Sequence, residues 1–366
     1  MVGCEPLKIL AVLTVRNEAA YLLEWLAHHQ TAGITDFLVF SNDCDDGTDL
    51  MLDRLAEMGL LTHVRNDGPH DKGGIQFTAM KLADKRPEVA AADWIITLDA
   101  DEFINIHVGD HTVPALLAAL PEASAITLTW RLFGSSDIVR YEDRPVTDQF
   151  TRAAPAVMYW PWRASMFKTL FRNDDTYAKL GVHRPRKPDP DRLHSARWFD
   201  GEGRELPSQF LTRQIFSPFG RPNHGLAQLN HYPLGSMENF VIKADRGRAV
   251  HNAHMLDLDY WVERNYNTET DTTIAALAPR RDAALAALKS DPGLAALHDA
   301  AVAWRKARFH ELMQDEPYRA LFGRLLQTPP SRPVRPEEAR LILYHARLGQ
   351  SRDAATTTTT TTGPRR

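Results

Sequence analysis

Cysteine and long apolar runs are both scarce in this sequence. Cys4 and Cys44 are its two cysteines, and they form neither a disulfide framework nor a Cys-x-x-Cys pair, which predicts a reducing compartment. No signal-peptide pattern and no apolar run of about 18 residues is present, which disfavours secretion and a membrane-spanning helix. We therefore expect a cytoplasmic protein.

An excess of charge of one sign is also missing. The 43 Lys and Arg residues stand against 47 Asp and Glu, so the formal net charge is -4 and no basic face is predicted for a nucleic acid. The apolar and charged fractions, 43% and 25%, are those of an ordinary soluble globular protein. The 366 residues suffice for one large α/β domain or two smaller ones, and a small-molecule partner is expected.

Three common ligand-binding motifs are absent. No Gly-x-Gly-x-x-Gly follows the first predicted strand, which excludes the usual dinucleotide fingerprint, and no P-loop occurs. An EF-hand starting at Asp43-x-Asp45 is also excluded, because Arg54 occupies the position of the bidentate glutamate.

The first half of the chain alternates strand-like and helix-like segments. Apolar, β-favouring runs are separated by segments whose apolar residues recur at helical spacing. This alternation predicts crossover connections, a mainly parallel sheet and ligands at the carboxyl ends of the strands. The predicted strands cover residues 8–14, 37–40, 63–65 and 94–98, and the predicted helices cover residues 18–30, 49–58 and 74–83.

The fourth predicted strand ends in a dense group of carboxylates, Asp99-Ala100-Asp101-Glu102. Carboxylates this close repel one another unless a cation, a donor network or water neutralises them, so Asp101→Asn is expected to relieve repulsion. Because side chains alternate along an extended segment, Asp99 and Asp101 are predicted to point to one side, where both could face one divalent ion. The alternative is an acidic strand end exposed to solvent.

Polar residues also follow the first two predicted strands. Val15-Arg16-Asn17-Glu18 follows the first, and an Asp- and Asn-rich turn over residues 41–48 follows the second. The turn has the composition of a helix entry, because Asp and Thr cap helices and Gly permits the bend. A ligand-binding role for the same turn stays open.

These motifs together resemble the family 2 glycosyltransferases of the GT-A fold. The resemblance rests on Asn17-Glu18, on Asp45-Asp46-Gly47-Thr48 and on residues 98–103, in this order along the chain. A bacterial branch of that family is more closely similar in four further segments, residues 24–29, 130–136, 181–185 and 230–233. The similarity covers roughly residues 8 to 250. Ser41 stands where relatives often place an acidic residue, which leaves the base of the nucleotide undefined.

The resemblance implies a GT-A-like (Rossmann-like), mainly parallel α/β sheet with flanking helices. It also implies transfer of a sugar from a nucleotide-sugar donor to a hydroxyl of a glycan, glycolipid or lipid acceptor, with inversion and in polysaccharide biosynthesis. Mn²⁺ or Mg²⁺ would stabilise the departing diphosphate as a Lewis acid. Asp101 would hold this ion, and Asp99 would face the ribose or share the ion.

Further donor-site residues follow from the same resemblance. Asn17, Glu18 and Asn42 would lie near the nucleoside, while Asp46 either joins them or caps a helix. Lys168, on the polar face of a predicted strand, could meet the diphosphate, and Lys243 and Arg246 either close over phosphates or form a basic helix face. His183 or His231 would complete the metal shell, with His183 favoured slightly, or both are structural.

The acceptor side is expected after residue 130. An inverting transferase needs a base within hydrogen-bond reach of the acceptor hydroxyl, and Asp137 and Asp143 are the candidates, with a solvated acidic loop as the alternative. The aromatic run over residues 159–163 could hold a sugar or lipid acceptor, but core packing is the preferred interpretation.

The chain is divided into a transferase domain over residues 1–255, a helical C-terminal extension over 256–350 and a disordered low-complexity tail over 351–366. A basic amphipathic segment, residues 294–313, either packs on the domain, which we favour, or contacts an anionic membrane surface. The expected location is therefore cytoplasmic, with possible peripheral membrane contact at the inner face. The oligomeric state is not predicted.

Two other functions fit parts of the pattern. A nucleotidyltransferase shares the sheet and the carboxylates but usually carries a Gly-rich, basic loop after the first strand, which Val15-Arg16-Asn17-Glu18 lacks. A non-catalytic glycan-binding protein would not need both Asp99 and Asp101.

Overall fold

A computed structural model of the chain describes residues 6–70, 73–246 and 257–359. Its first third alternates strands and helices, as the apolar spacing predicts. The strands are β1 (Ile9–Val15), β2 (Asp36–Ser41), β3 (Thr62–Arg65), β4 (Trp94–Leu98) and β5 (Glu102–Ile106). The helices are α1 (Ala19–Thr31), α2 (Thr48–Glu57), α3 (Ile75–Ala83), α4 (Pro87–Ala91) and α5 (Val113–Ala119).

The middle of the chain completes the sheet. The later strands are β6 (Ala125–Leu132), β7 (Arg152–Ala153), β8 (Phe167–Arg172), β9 (Tyr177–Lys179), β10 (Arg186–Pro188), β11 (Trp198–Asp200), β12 (Ala227–His231) and β13 (Glu269–Thr270). Short helices α6 (Val146–Gln149), α7 (Pro190–Leu193) and α8 (Gln209–Thr212) lie in the connections.

The central sheet has nine strands in the order β3-β2-β1-β4-β8-β6-β12-β5, with β11 beside β6. The first four strands of this order are parallel, β8 runs antiparallel between β4 and β6, and β12 is parallel to β6 and antiparallel to β5. Most pairings are thus parallel, and the predicted fold class, a mainly parallel α/β sheet with flanking helices, is confirmed.

The strands next to the centre of the sheet are buried on both faces. On one face Ile9 and Ile96 pack with Trp25 of α1, which is 1% exposed, and on the other face Leu10 and Ile95 form a separate cluster with α3. Strands covered on both sides read as continuous apolar runs, which is why the sequence pattern identified them.

Among the described residues, six α-helices follow the last strand of the central sheet. They are α9 (Met237–Arg246), α10 (Leu258–Val262), α11 (Ala278–Lys289), α12 (Pro292–Leu312), α13 (Glu316–Gln327) and α14 (Pro336–Thr359). Helix α12 packs against α1, α2 and α9, and its apolar residues Leu294 and Phe309 are buried. The packing interpretation of this basic segment is therefore the one that the structure shows.

Three predictions from the sequence concern residues that lie partly or wholly outside the described ranges. The predicted domain boundary near residue 255 lies outside the described residues, as does Cys4. Helix α14 runs into the predicted tail as far as Thr359, and residues 360–366 lie outside the description. Across the three described ranges, no helix combines the length and the apolar character that crossing a bilayer requires.

Candidate functional site

A cavity of about 420 Å³ opens at the carboxyl edge of the parallel strands. One wall is formed by the end of β1 and the turn after β4, and the opposite wall by α9 and α12. Polar and charged side chains dominate the lining. In α/β sheets ligands bind at this edge, so the cavity is the candidate site.

The turn after β4 separates the two aspartates that the sequence predicts on one side. The backbone N–H of Glu102 donates to the carbonyl of Asp99 at 3.1 Å, which closes a tight turn, and β5 then pairs with β12. Alternation of side chains applies only to an extended backbone. The prediction that Asp99 and Asp101 point the same way is therefore wrong, and each carboxylate has its own set of partners.

Asp99 lies on the side of the turn that faces β8. Its carboxylate accepts from Lys168 Nζ at 2.9 Å and from Gln76 Nε2 at 3.0 Å. Lys168 is fully buried, and its Nζ also lies 3.5 Å from Glu102 Oε2. Burial opposes the charged form of Lys168, but the carboxylates of Asp99 and Glu102 outweigh it and raise the pKa of Lys168. Lys168 therefore forms salt bridges with Asp99 and Glu102, and it does not line the candidate cavity.

Asp101 faces the cavity. Lys243 Nζ lies 2.6 Å from Asp101 Oδ2 and donates to the carbonyl of Pro233 at 2.7 Å, while His231 Nε2 lies 3.6 Å from Asp101 Oδ1. Burial favours the neutral carboxyl, but the charge of Lys243 and the contact with His231 hold the pKa of Asp101 well below its usual range. Burial also lowers the pKa of His231, although Asp101 opposes this shift. Asp101 and Lys243 therefore form an ion pair of an ionised carboxylate and a charged lysine.

Of the two late histidines, the structure brings His231 to Asp101 and leaves His183 elsewhere. His183 Nδ1 lies 3.1 Å from the carbonyl of Phe167, and burial and the neighbouring Lys168 lower its pKa to about 4. The preference for His183 is thus not supported, because His183 lies in the loop between β9 and β10 and contacts Phe167 of β8, on the Asp99 side of the turn. Trp130 lies between, with its ring 4.3 Å from that of His231.

Asp101 and His231 are the residues that could hold a divalent ion. Their facing atoms, Asp101 Oδ1 and His231 Nε2, are 3.6 Å apart. Nowhere in the described part of the chain do three His, Cys, Asp or Glu side chains meet in a group that could hold a metal. Mg²⁺ is commonly held by one or two protein ligands together with substrate phosphates and water. The residues present fit an ion of that kind, completed by a ligand.

The loop after β1 contacts both the turn after β2 and α9. Asn17 has a left-handed backbone (φ 53°), and its Oδ1 accepts from the backbone N–H of Asp45 at 2.8 Å. Arg246 forms a salt bridge with Glu18 and donates to the carbonyl of Arg16 at 2.6 Å. Asn17, Glu18, Lys243 and Arg246, all predicted donor-binding residues, therefore line one cavity.

Asp46 and Asn42 are buried, and their side chains contact neighbouring parts of the protein. Asp46 is buried, and its carboxylate accepts from the backbone N–H of Ala19 at 3.0 Å and from that of Thr48 at 2.9 Å. It therefore joins the beginnings of α1 and α2, which favours the capping interpretation. Asn42 is buried against Asp43, with its Nδ2 3.2 Å from that carboxylate. The described residues that line the cavity include neither Asn42 nor Asp46.

The two candidate bases are not at the cavity. Asp137 accepts from Asn267 Nδ2 at 3.0 Å, and Asp143 lies 3.0 Å from His298 Nε2 on α12. The structure does not bring either of them to the site, because the loop over residues 133–144 turns away towards the C-terminal helices. The described carboxylates that do line the cavity are Glu18, Asp45, Asp101, Asp245 and Glu311.

The aromatic run over residues 159–163 is not core, contrary to the preferred interpretation. Trp162 is 40% exposed, and its ring lies 4.9 Å from that of Trp160. Phe219, in contact with Tyr159, is 54% exposed. Trp162 begins a short 3-10 helix, Trp162–Ser165, and the other rings lie in loops, so none of them lies on a strand face of the sheet.

The part of the cavity wall that α12 contributes was not predicted from the sequence. Trp304, Arg305, Arg308 and Glu311 of α12 line it together with Asp245 of α9. Residues 304, 308 and 311 recur at helical spacing, which places them on one side of α12. That spacing was visible in the sequence, but which element the helix packs against was not.

The fold and the site define an α/β protein with a cavity lined by charged side chains at the carboxyl edge of its sheet. A family model described as glycosyltransferase family 92 matches residues 11–198, which is more than half of the chain. The chain therefore belongs to glycosyltransferase family 92. The expected glycosyltransferase class is confirmed, whereas family 2 is not, because the matching family is a different one.

Curated relatives carry the same family description. A glycosyltransferase family 92 protein of Oryza sativa subsp. japonica is 21% identical over 142 residues, which cover 37% of this chain and 23% of the rice protein. One of Ricinus communis is 22% identical over 109 residues, covering 29% of this chain and 19% of that protein. The chain thus spans less than a quarter of the length of these relatives.

Solved structures show weaker similarity. S. aureus TarS 1-349 in complex with UDP is 14% identical with a TM-score of 0.32, over 64% of this chain and 63% of that one. Glucosyl-3-phosphoglycerate synthase from Mycobacterium tuberculosis, in complex with Mn²⁺, UDP and glucosyl-3-phosphoglycerate, is 18% identical with a TM-score of 0.25, over 34% and 44%. TM-scores this low carry no argument about the site.

Proposed function

We propose that this protein transfers a sugar from a nucleotide-sugar donor to a hydroxyl acceptor, and that the donor diphosphate binds in the cavity beside Asp101. The observation that carries the proposal is the cavity itself, at the carboxyl edge of the sheet, with Lys243, Arg246 and Asp101 among its lining residues. Membership of glycosyltransferase family 92 supports the reaction class over the nucleotidyltransferase and glycan-binding alternatives.

The chemistry assigns a part to each charged group. Cleavage of the bond between the anomeric carbon and the diphosphate places negative charge on the leaving group, and fixed cations stabilise that charge most when they are already in place. Lys243 is held by Asp101 at 2.6 Å and by the carbonyl of Pro233 at 2.7 Å, so its position does not depend on the ligand. Arg246 is fixed in the same way between Glu18 and the carbonyl of Arg16.

A divalent ion is part of the proposal. Asp101 Oδ1 and His231 Nε2 would hold Mn²⁺ or Mg²⁺, and when bound the ion supplies Lewis-acid stabilisation of the leaving diphosphate. Burial lowers the pKa of His231, which favours the neutral imidazole, the form that binds metals. Because Lys243 occupies the other carboxylate oxygen, Asp101 would bind the ion through one oxygen only.

We further propose a glycan or lipid acceptor and inversion at the anomeric carbon. The base that receives the acceptor proton must come from a group that reaches the cavity, which neither Asp137 nor Asp143 does. Analysis of the product anomer by NMR tests the stereochemistry. The cytoplasmic location and peripheral membrane contact remain predictions, tested by cell fractionation with a high-salt wash.

Binding to nucleotides tests the proposal at its first step. UDP, GDP, CDP and dTDP are titrated calorimetrically against the parent protein, each with and without Mn²⁺. We expect one of them to bind with a Kd of roughly 1 µM to 1 mM, the usual range for substrates, and more tightly with Mn²⁺. Lys243→Met should weaken that binding, whereas Asp137→Asn, outside the cavity, should not. Failure of all four to bind under both conditions would contradict the proposal.

A further inference from the structure

Arg305 of α12 is a buried cation with an unusual set of partners. It is 3% exposed, and its guanidinium carbon lies 4.6 Å from the centre of the Tyr21 ring. Its Nη2 donates to the backbone carbonyl of Asn17 at 3.2 Å, and its Nη1 donates to Asn239 Oδ1. These partners are neutral. They hold the guanidinium in place without cancelling its charge.

The described residues provide Arg305 with no carboxylate within salt-bridge distance, and its Nε has no hydrogen-bond partner among them. Three other cavity cations are paired with carboxylates: Lys243 with Asp101, Arg246 with Glu18, and Arg308 with Asp245. Burying an ion without a counter-charge is unfavourable, even after the surrounding structure relaxes. The same charge becomes favourable when an anion enters the cavity beside it.

We propose that Arg305 binds a phosphate of the donor and of the departing nucleoside diphosphate, so that α12 supplies part of the donor site. This inference rests on the proposed function, because it takes the cavity as the donor site. Arg305 lines the same cavity as Lys243 and Arg246, but it comes from the C-terminal helices and not from α9. A guanidinium suits this role because it stays charged when buried and its N–H groups match two phosphate oxygens.

A merely structural role predicts something different. Through the carbonyl of Asn17, Arg305 joins α12 to the loop after β1, so its loss could lower stability without affecting anion binding. Arg305→Met removes the charge and keeps much of the side-chain volume, while Arg305→Lys keeps the charge and loses the planar fork. Lys306→Met is the matched control, since Lys306 is the exposed neighbour on the same helix.

The probe is inorganic pyrophosphate, which has the charge of the leaving group but neither nucleoside nor sugar. Its Kd is measured by calorimetry for the parent and the three variants at constant ionic strength without divalent ions, alongside the melting temperature of each ligand-free protein. We expect Arg305→Met to weaken binding by roughly tenfold or more, the scale of a lost charge-assisted hydrogen bond. Arg305→Lys should lie between it and the parent, and Lys306→Met should match the parent.

Pyrophosphate affinity in folded Arg305→Met within about twofold of the parent would overturn the inference, whatever its melting temperature. If Arg305→Met does not fold, the comparison of Arg305→Lys with Lys306→Met decides: parental affinity in both overturns the inference. Hydrolysis of nucleotide sugars by the parent protein is measured separately. Its absence would contradict the proposed function, whereas the pyrophosphate series addresses Arg305 alone.

Discussion

The effect of Asp101→Asn on stability follows directly from the contact with Lys243. Repulsion among neighbouring carboxylates predicts that this substitution stabilises the turn, but the structure predicts the opposite. Asp101 and Lys243 are 23% and 13% exposed, and their charged atoms are 2.6 Å apart. Asparagine keeps the shape and leaves the ammonium without its counter-charge. The free energy of unfolding should therefore fall.

The magnitude can be worked out from known ion pairs. Breaking a fully buried pair by removing one partner costs about 3–5 kcal/mol, whereas an exposed pair contributes about 0–1 kcal/mol. This pair is partly exposed, and Lys243 keeps its bond to the carbonyl of Pro233. We therefore expect a loss of about 2 kcal/mol, between these two limits.

Urea denaturation of the metal-free protein measures this loss. The parent is compared with Asp101→Asn, Lys243→Met and the double variant, and the double variant should lose about 1–2 kcal/mol less than the sum of the single losses. Asp45→Asn is the control, a cavity carboxylate with no salt bridge in the described structure, and it should lie within about 0.5 kcal/mol of the parent. An Asp101→Asn protein as stable as the parent, or more stable, would refute the reasoning.

Three further predictions concern residues around the site and the end of the chain. His231→Ala should weaken Mn²⁺-dependent nucleotide binding by about ten- to a hundredfold and His183→Ala should not, and the reverse order in calorimetry would contradict the assignment. Asp137→Asn and Asp143→Asn should keep turnover within about twofold of the parent, because neither side chain reaches the cavity. Asp143→Asn should cost about 1 kcal/mol in urea denaturation, because it weakens the contact between Asp143, which is 38% exposed, and His298. Deletion of residues 354–366 should leave melting temperature and turnover unchanged, since the Thr-rich segment has little apolar surface to bury.

The sheet could be predicted from the sequence because its strands are buried on both faces. Apolar runs such as residues 8–14 and 94–98 have few alternatives to a central strand, and the helices between them require parallel crossovers. The place of the site followed from the same reasoning, since polar residues at strand ends meet at one edge. Asn17, Glu18 and Asp101 were found in this way.

The geometry within the site could not be predicted from the same pattern. Alternation of side chains places Asp99 and Asp101 on one side only if the backbone stays extended through Ala100. The hydrogen bond from the N–H of Glu102 to the carbonyl of Asp99 closes a turn there instead. The three carboxylates that form one cluster in the sequence are therefore divided in the structure: Asp99 and Glu102 share Lys168, whereas Asp101 pairs with Lys243. The spacing of residues around Asp99 does not indicate that Lys168 and Lys243, which are distant in the sequence, contact these carboxylates.

The position of α12 at the cavity also could not be predicted from the sequence. Its basic residues could have faced solvent, a membrane or another helix, and helical periodicity alone fits all three. Packing of this helix on α1 and α9 places Arg305 at the cavity, more than 280 residues after Asn17, whose carbonyl it contacts. Contacts at such a separation depend on the whole tertiary structure and not on any segment of the sequence.

Donor turnover by Asp101→Asn is the most direct test of the proposed reaction. Hydrolysis of the nucleotide sugar whose nucleoside diphosphate binds is followed in the parent and in Asp101→Asn, with Mn²⁺ titrated. If Asp101 positions both Lys243 and the ion at the leaving diphosphate, turnover should fall by roughly a hundredfold or more. Near-parental turnover of a folded Asp101→Asn protein at limiting Mn²⁺ would contradict the claim that this carboxylate organises the donor site.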